Sequence, residues 1–193
     1  MKKIVGAIVG LSLLVSSAKA NMFIGADYIL ENSMTYETEY EDFDHTFESD
    51  PIDISGYSIL LGWGSVDTSS FRIYYSLQET EYDYEQTEYG FNHRLYFDAA
   101  KKVKWSIQYG LGLGELENEE LENYVIGNIG LGLSYLLNKN VEFSLGYDMK
   151  YTQREEDYYT QTGTGSNIYL GVSYWFGESP ESENRSLPRR RDR

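Results

Sequence analysis

Eight runs of alternating large apolar and small or polar residues lie between Met22 and Phe176, and the last closes on Tyr174, Trp175 and Phe176. A period of two sends successive side chains to opposite faces of a strand, so each run carries one apolar and one polar face. The runs read as strands at about Met22 to Tyr36, Ile52 to Gly64, Ser70 to Thr80 and Thr87 to Phe97. The second half adds Lys102 to Gly114, Tyr124 to Leu137, Val141 to Arg154 and Ser166 to Phe176. In the fifth run Trp105, Ile107, Tyr109 and Leu111 oppose Lys104, Ser106, Gln108 and Gly110. That division suits a small barrel in lipid, where every second side chain meets the bilayer and the others fill a narrow polar interior. The predicted fold is all-β, an eight-stranded antiparallel up-and-down transmembrane β-barrel.

Lys2 and Lys3, the apolar stretch Ile4 to Val15, and Ala18, Lys19 and Ala20 ahead of Asn21 read as a cleaved signal peptide. The stretch is too short to span a bilayer as a helix. With no Cys in the chain, lipid attachment through a thiol and disulfides are both excluded. The predicted organisation is a signal peptide over 1–20, a barrel over 21–176, and a disordered periplasmic tail over 177–193 ending in Arg189, Arg190, Arg191 and Arg193. The 19 Tyr, 18 Gly and 3 Pro favour aromatic belts and close inward packing over a helical bundle.

Periodicity does not say which face is outside, so a soluble barrel with an apolar cavity is the structural rival. Three observations weigh against it. Gly and Ser dominate the polar face, where a solvated face would be dense in charge. Aromatic residues such as Tyr57, Trp63, Tyr89, Phe97, Trp105 and Tyr174 gather toward strand ends, as interfacial girdles do. The connections alternate short and long, and the long ones hold the acid: roughly Glu31 to Pro51, Glu79 to Glu88, Glu115 to Asn123 and Glu155 to Gly165. Between Asn21 and Phe176 only 8 Lys and Arg face 27 Asp and Glu, a balance of −19, and up-and-down topology would gather that acid into one rim.

The chain resembles the small outer-membrane barrel superfamily that includes the OmpA transmembrane domain, OmpX and the opacity-type proteins. The resemblance spans about Asn21 to Phe176 and is most specific in the last strand. There Tyr169, Gly171, Tyr174 and Phe176 are similar to the signal read by the barrel-insertion machinery. It implies export to the bacterial outer membrane, a monomer surrounded by lipid and lipopolysaccharide, and no cofactor. Some small outer-membrane barrels are lipid-A-modifying enzymes that use a His with Ser and an acid. Here His93 has outward parity but no Ser or carboxylate on the neighbouring outward sets, so no catalytic residues are assigned. A bulge near Gly90 would turn it inward.

Charges of both signs with inward parity, Asp27, Arg72, Arg94, Lys104, Glu142, Asp148, Lys150 and Arg154, predict an ion-pair network plugging the lumen. The competing use of the same groups is a gated pore for small solutes. The acidic connections have the charge that Ca²⁺ or Mg²⁺ favours but no EF-hand spacing, so no metal site is assigned. Interleaved Tyr36, Tyr40, Phe43, Phe47, Tyr82, Tyr84, Tyr158 and Tyr159 offer contact area to an extracellular protein or glycan, and the net charge disfavours nucleic acid. The expectation is therefore a non-enzymatic barrel with a structural or adhesive role, the narrow channel and the lipid-modifying enzyme being the alternatives.

Overall fold

The computed structural model describes residues 21–40, 46–117, 121–156 and 158–176. The predicted signal peptide, the Arg-rich tail, Phe43 and His45 lie outside the described residues. The strands are β1 (Asn21–Tyr40), β2 (Thr46–Glu48), β3 (Ile52–Gly64), β4 (Ser69–Thr80) and β5 (Glu85–Ala100). They continue with β6 (Val103–Glu117), β7 (Leu121–Leu136), β8 (Val141–Glu156) and β9 (Tyr159–Phe176). Each pairs antiparallel with the next from β3 to β9, β1 pairs with β3, and β1 also pairs with β9 to close a ring of eight. Beyond Met34, where the β3 ladder ends, the three-residue β2 pairs with β1 instead.

The faces divide as the alternation requires. Among the described residues the interior buries twenty polar or charged side chains and ten apolar ones, while Ile73, Trp105, Ile129, Leu131 and Leu170 stand outside about half exposed. A soluble barrel would show the reverse, so the apolar face is the lipid face. The few buried apolar residues form a small cluster of Phe23, Leu60, Tyr74 and Trp175 inside the barrel, with the Phe23 and Trp175 rings 4.4 Å apart.

The segments expected to be long connections are largely strand. β1 and β9 stay paired from Met34↔Gly165 up to Tyr40↔Tyr159, and β5 with β6 from Glu85↔Glu117 downward. The acid in these segments is interleaved with Thr and Tyr, which suit a pleated ladder, and a strand with both neighbours paired is free to carry charge on a wet face. The acidic segments do share one end, since β1, β4, β6 and β8 all finish there. The opposite end carries tight turns, where Gly64 adopts a φ of 144° that a side chain would strain. No bulge occurs near Gly90, whose register to Tyr74 and Gly112 is regular; the irregularities fall in β1 between Ile29 and Asn32 and in β5 between Asp98 and Ala100.

Candidate functional site

Four strands send side chains to Glu142, the first inward residue of β8. One carboxylate oxygen accepts from Ser134 at 2.6 Å and from Tyr96 at 3.3 Å, and the other accepts the indole N–H of Trp175 at 2.9 Å. The guanidinium nitrogens of Arg72 and Arg94 approach the same carboxylate at 4.0 and 3.9 Å, all three side chains being buried. Arg72 also donates to Tyr96 at 3.3 Å and lies over the Phe23 ring. Two guanidinium charges share one carboxylate that neutral donors already hold, which fixes the lumen's cross-section at this level.

Arg94 donates from Nε to the Gln108 carbonyl at 2.9 Å and from Nη2 to the Tyr169 hydroxyl at 2.5 Å. The Gln108 amide donates in turn to both Asp148 oxygens, at 2.7 and 2.6 Å. A neutral amide thus links Arg94 to Asp148, which forms no ion pair within 4 Å among the described residues. Glycines make the space: a Cβ at Gly146 would enter the Tyr169 ring, and one at Gly130 would strike the Asp148 carboxylate.

Nearer the acidic end, Lys150 pairs with Glu88, which also accepts from Gln78 at 2.9 Å and from Tyr124 at 3.0 Å. Glu88 is buried, although the sequence reading counts it at the end of an acidic connection and leaves it out of the lumen charges. It also falls inside the fourth run, Thr87 to Phe97, with the parity of Gly90, Asn92 and Arg94, and that parity is the signal that places it in the lumen.

Two residues expected in the network do not join it. Lys104 sits at the turn end, bound to Asp67 at 3.0 Å and Asp98 at 2.5 Å, and Asp98 is largely exposed. Arg154 lies at the acidic mouth, where it donates to the Tyr159 hydroxyl and faces that ring. Parity gave the face correctly; height along the barrel depends on strand stagger, which parity does not encode. Asp27 faces inward, its Oδ1 over Gly171, and that oxygen makes no hydrogen bond among the described residues.

Above Lys150 and Glu88 a vestibule of about 190 Å³ is lined by Tyr36, Tyr82, Tyr84, Tyr124 and Arg154. At the rim Tyr40 contacts Phe47 and Tyr159, with ring centroids 5.9 and 5.8 Å apart. Glu37, Glu48, Glu79, Glu85, Glu115 and Glu155 flank these aromatics on the same end.

His93 stays on the outer face. Its ring stacks on Phe71 at 4.3 Å and its Nδ1 lies 2.8 Å from the Tyr109 hydroxyl, extending a cross-strand row that starts at Trp63. The polar atom facing lipid therefore has a partner, the Tyr109 hydroxyl. In β9, Tyr169 and Gly171 point inward while Tyr174 and Phe176 point outward, edge to face at 5.1 Å. Among the described residues no group of three or more His, Asp or Glu is arranged to hold a metal ion.

No protein-family model and no curated protein sequence matches the chain. Solved structures do. Neisserial surface protein A aligns over 82% of this chain and 99% of its own, with a TM-score of 0.62 at 15% identity. The outer membrane protein OprG from Pseudomonas aeruginosa aligns over 83% of this chain and 98% of its own, with a TM-score of 0.53 at 10% identity. At such identities the likeness establishes the fold, that of the small eight-stranded outer-membrane barrels.

Proposed function

We propose that the protein is a monomeric, non-enzymatic outer-membrane barrel. It is exported through a cleaved signal peptide and seated with the turn end in the periplasm and the acidic, Tyr-rich end outside the cell. Its role is structural or adhesive, the raised rim being the contact surface for an extracellular protein or glycan. The observation that carries this reading is the separation along the barrel. Paired strands run on past the apolar band and lift Tyr40, Phe47, Tyr82, Tyr84 and Tyr158 among carboxylates at one end only. Exposed aromatics supply contact area, and the surrounding charge keeps that surface soluble and selects partners of opposite or neutral charge. The comparisons support the barrel setting through fold alone.

Because the chain has no native Cys, single substitutions report orientation cleanly. A membrane-impermeant maleimide on intact cells is expected to label Tyr82→Cys and to leave Lys139→Cys unlabelled until the outer membrane is opened. The reverse pattern overturns the orientation. For adhesion, cells carrying the wild-type barrel are compared with cells carrying Tyr40→Ser and Phe47→Ser for retention on host-cell or glycan-coated surfaces. Equal retention, matching that of cells without the protein, overturns the adhesive role.

A further inference from the structure

Between the Glu142 level and the Lys150–Glu88 pair lies a cavity of about 50 Å³ whose walls include Asp27, Asn92, Asn128, Asn167 and Asp148. One side-chain oxygen of each of the first four, Asp27, Asn92, Asn128 and Asn167, is shielded from solvent and makes no hydrogen bond among the described residues. The register explains why they converge. Asn92 and Asn128 sit on either side of Gly110 in one inner row, and Asp148 and Asn167 are direct partners in the next. Glycines open the hollow, since a Cβ at Gly110 would strike Asn92 and one at Gly171 would strike Asp27.

Charge points the same way. The lumen interior among the described residues encloses four carboxylates, Asp27, Glu88, Glu142 and Asp148, against three cationic side chains, Arg72, Arg94 and Lys150. Lys104 is neutralised at the turn end by Asp67 and Asp98, and Arg154 belongs to the acidic mouth. Among the described residues one negative charge in a narrow, poorly solvated interior is therefore left without a counter-charge, and Asp27 and Asp148 are the interior carboxylates with no cation within 4 Å. Water alone would satisfy the amide oxygens but would not neutralise that charge.

We propose that this cavity is a binding site for a single alkali cation, held by the Asp27 carboxylate and the amide oxygens of Asn92, Asn128 and Asn167. Hard oxygen donors select a hard cation. The deficit of one charge selects a monovalent ion, because a divalent one would leave the lumen with a net positive charge. The cavity has room for such an ion with a water or two of its shell. Bound there, the ion bridges β1, β5, β7 and β9 and contributes to closing the ring.

The test uses the full mature chain refolded in detergent micelles. Unfolding midpoints are measured in sodium, potassium, rubidium and choline chloride at one ionic strength, for wild type, Asp27→Asn and Asn128→Leu. The expected result is a higher midpoint for wild type in at least one alkali salt than in choline. That difference should be lost in Asp27→Asn, whose midpoint in choline should equal or exceed that of wild type. Crystals grown with rubidium should give one anomalous peak inside the cavity. Equal wild-type midpoints in all four salts, or rubidium found only at the acidic rim, overturns the proposal and assigns the missing charge to a proton. The wild-type comparison and the rubidium peak stand even where a variant fails to fold.

Discussion

Trp175 donates its indole N–H to Glu142 at 2.9 Å, tying the penultimate residue of β9 to the carboxylate on which Arg72 and Arg94 converge. The strand whose Tyr169, Gly171, Tyr174 and Phe176 resemble an insertion signal thus also carries, on its inner face, a donor to the buried Glu142 carboxylate. Trp175→Phe removes that bond and leaves an acceptor lone pair buried, at an expected cost of about 1–3 kcal/mol. Glu142→Gln keeps the shape but leaves two buried guanidinium groups without their carboxylate, at about 3–5 kcal/mol. Urea titrations followed by the gel shift between folded and unfolded barrel rank the two. Glu142→Gln proving no more harmful than Trp175→Phe would show that Arg72 and Arg94 do not depend on that charge.

Leu131 stands on the outer face near the middle of β7, opposite Ile107 and Tyr147 on its neighbours. Placing Arg there puts a charge in hydrocarbon and is expected to cost about 2–4 kcal/mol in a bilayer. Lys139→Glu, in an exposed turn, should change stability by a few tenths at most. Folding into vesicles of uniform lipid, with stability read from the folded fraction against urea, checks both. A harmless Leu131→Arg would contradict the assignment of the apolar face to lipid.

The faces of the barrel were legible because a period of two is a direct consequence of strand geometry, as around Trp105 and Gln108. Strand ends were less so. The Glu-rich segments at Glu37 and Glu85 look like connections by charge, yet the Thr and Tyr among them, with a paired neighbour on each side, keep them in the ladder. The lumen charges were legible as a set and not as pairs. Asp148 is held by Gln108, a neutral residue that no charge count selects, and Lys104 and Arg154 share the parity of Arg94 at other heights. Stagger decides which inward residues meet, and it depends on closure between β1 and β9, residues more than a hundred positions apart.

His93 tests whether the outer face holds any chemistry. Its stacking on Phe71 and its contact with Tyr109 are contacts of about 0.5–1.5 kcal/mol together, so His93→Ala should weaken the barrel by that order and do nothing else. Lipid A extracted from cells making the wild type and from cells making His93→Ala should have the same mass spectrum. A difference between the spectra would make His93 a catalytic residue and reverse the non-enzymatic reading.

Charged side chains meet across the lumen at two separate heights, Arg72 and Arg94 around Glu142 and Lys150 against Glu88. An eight-stranded ring leaves an interior that side chains just fill, so the plugged reading expects either level to be enough to stop ions. Planar-bilayer recordings on refolded wild type should therefore give no steady conductance. Glu142→Ser with Arg94→Ser opens the first level only, and Glu88→Ser with Lys150→Ser the second only, so each double variant should also remain closed or flicker briefly. Combining all four substitutions should give a lasting open state, a non-additive outcome that two gates in series require. Full conductance from either double variant would mean that the other level does not seal. Steady conductance from the wild type would remove the plug altogether and favour the narrow channel.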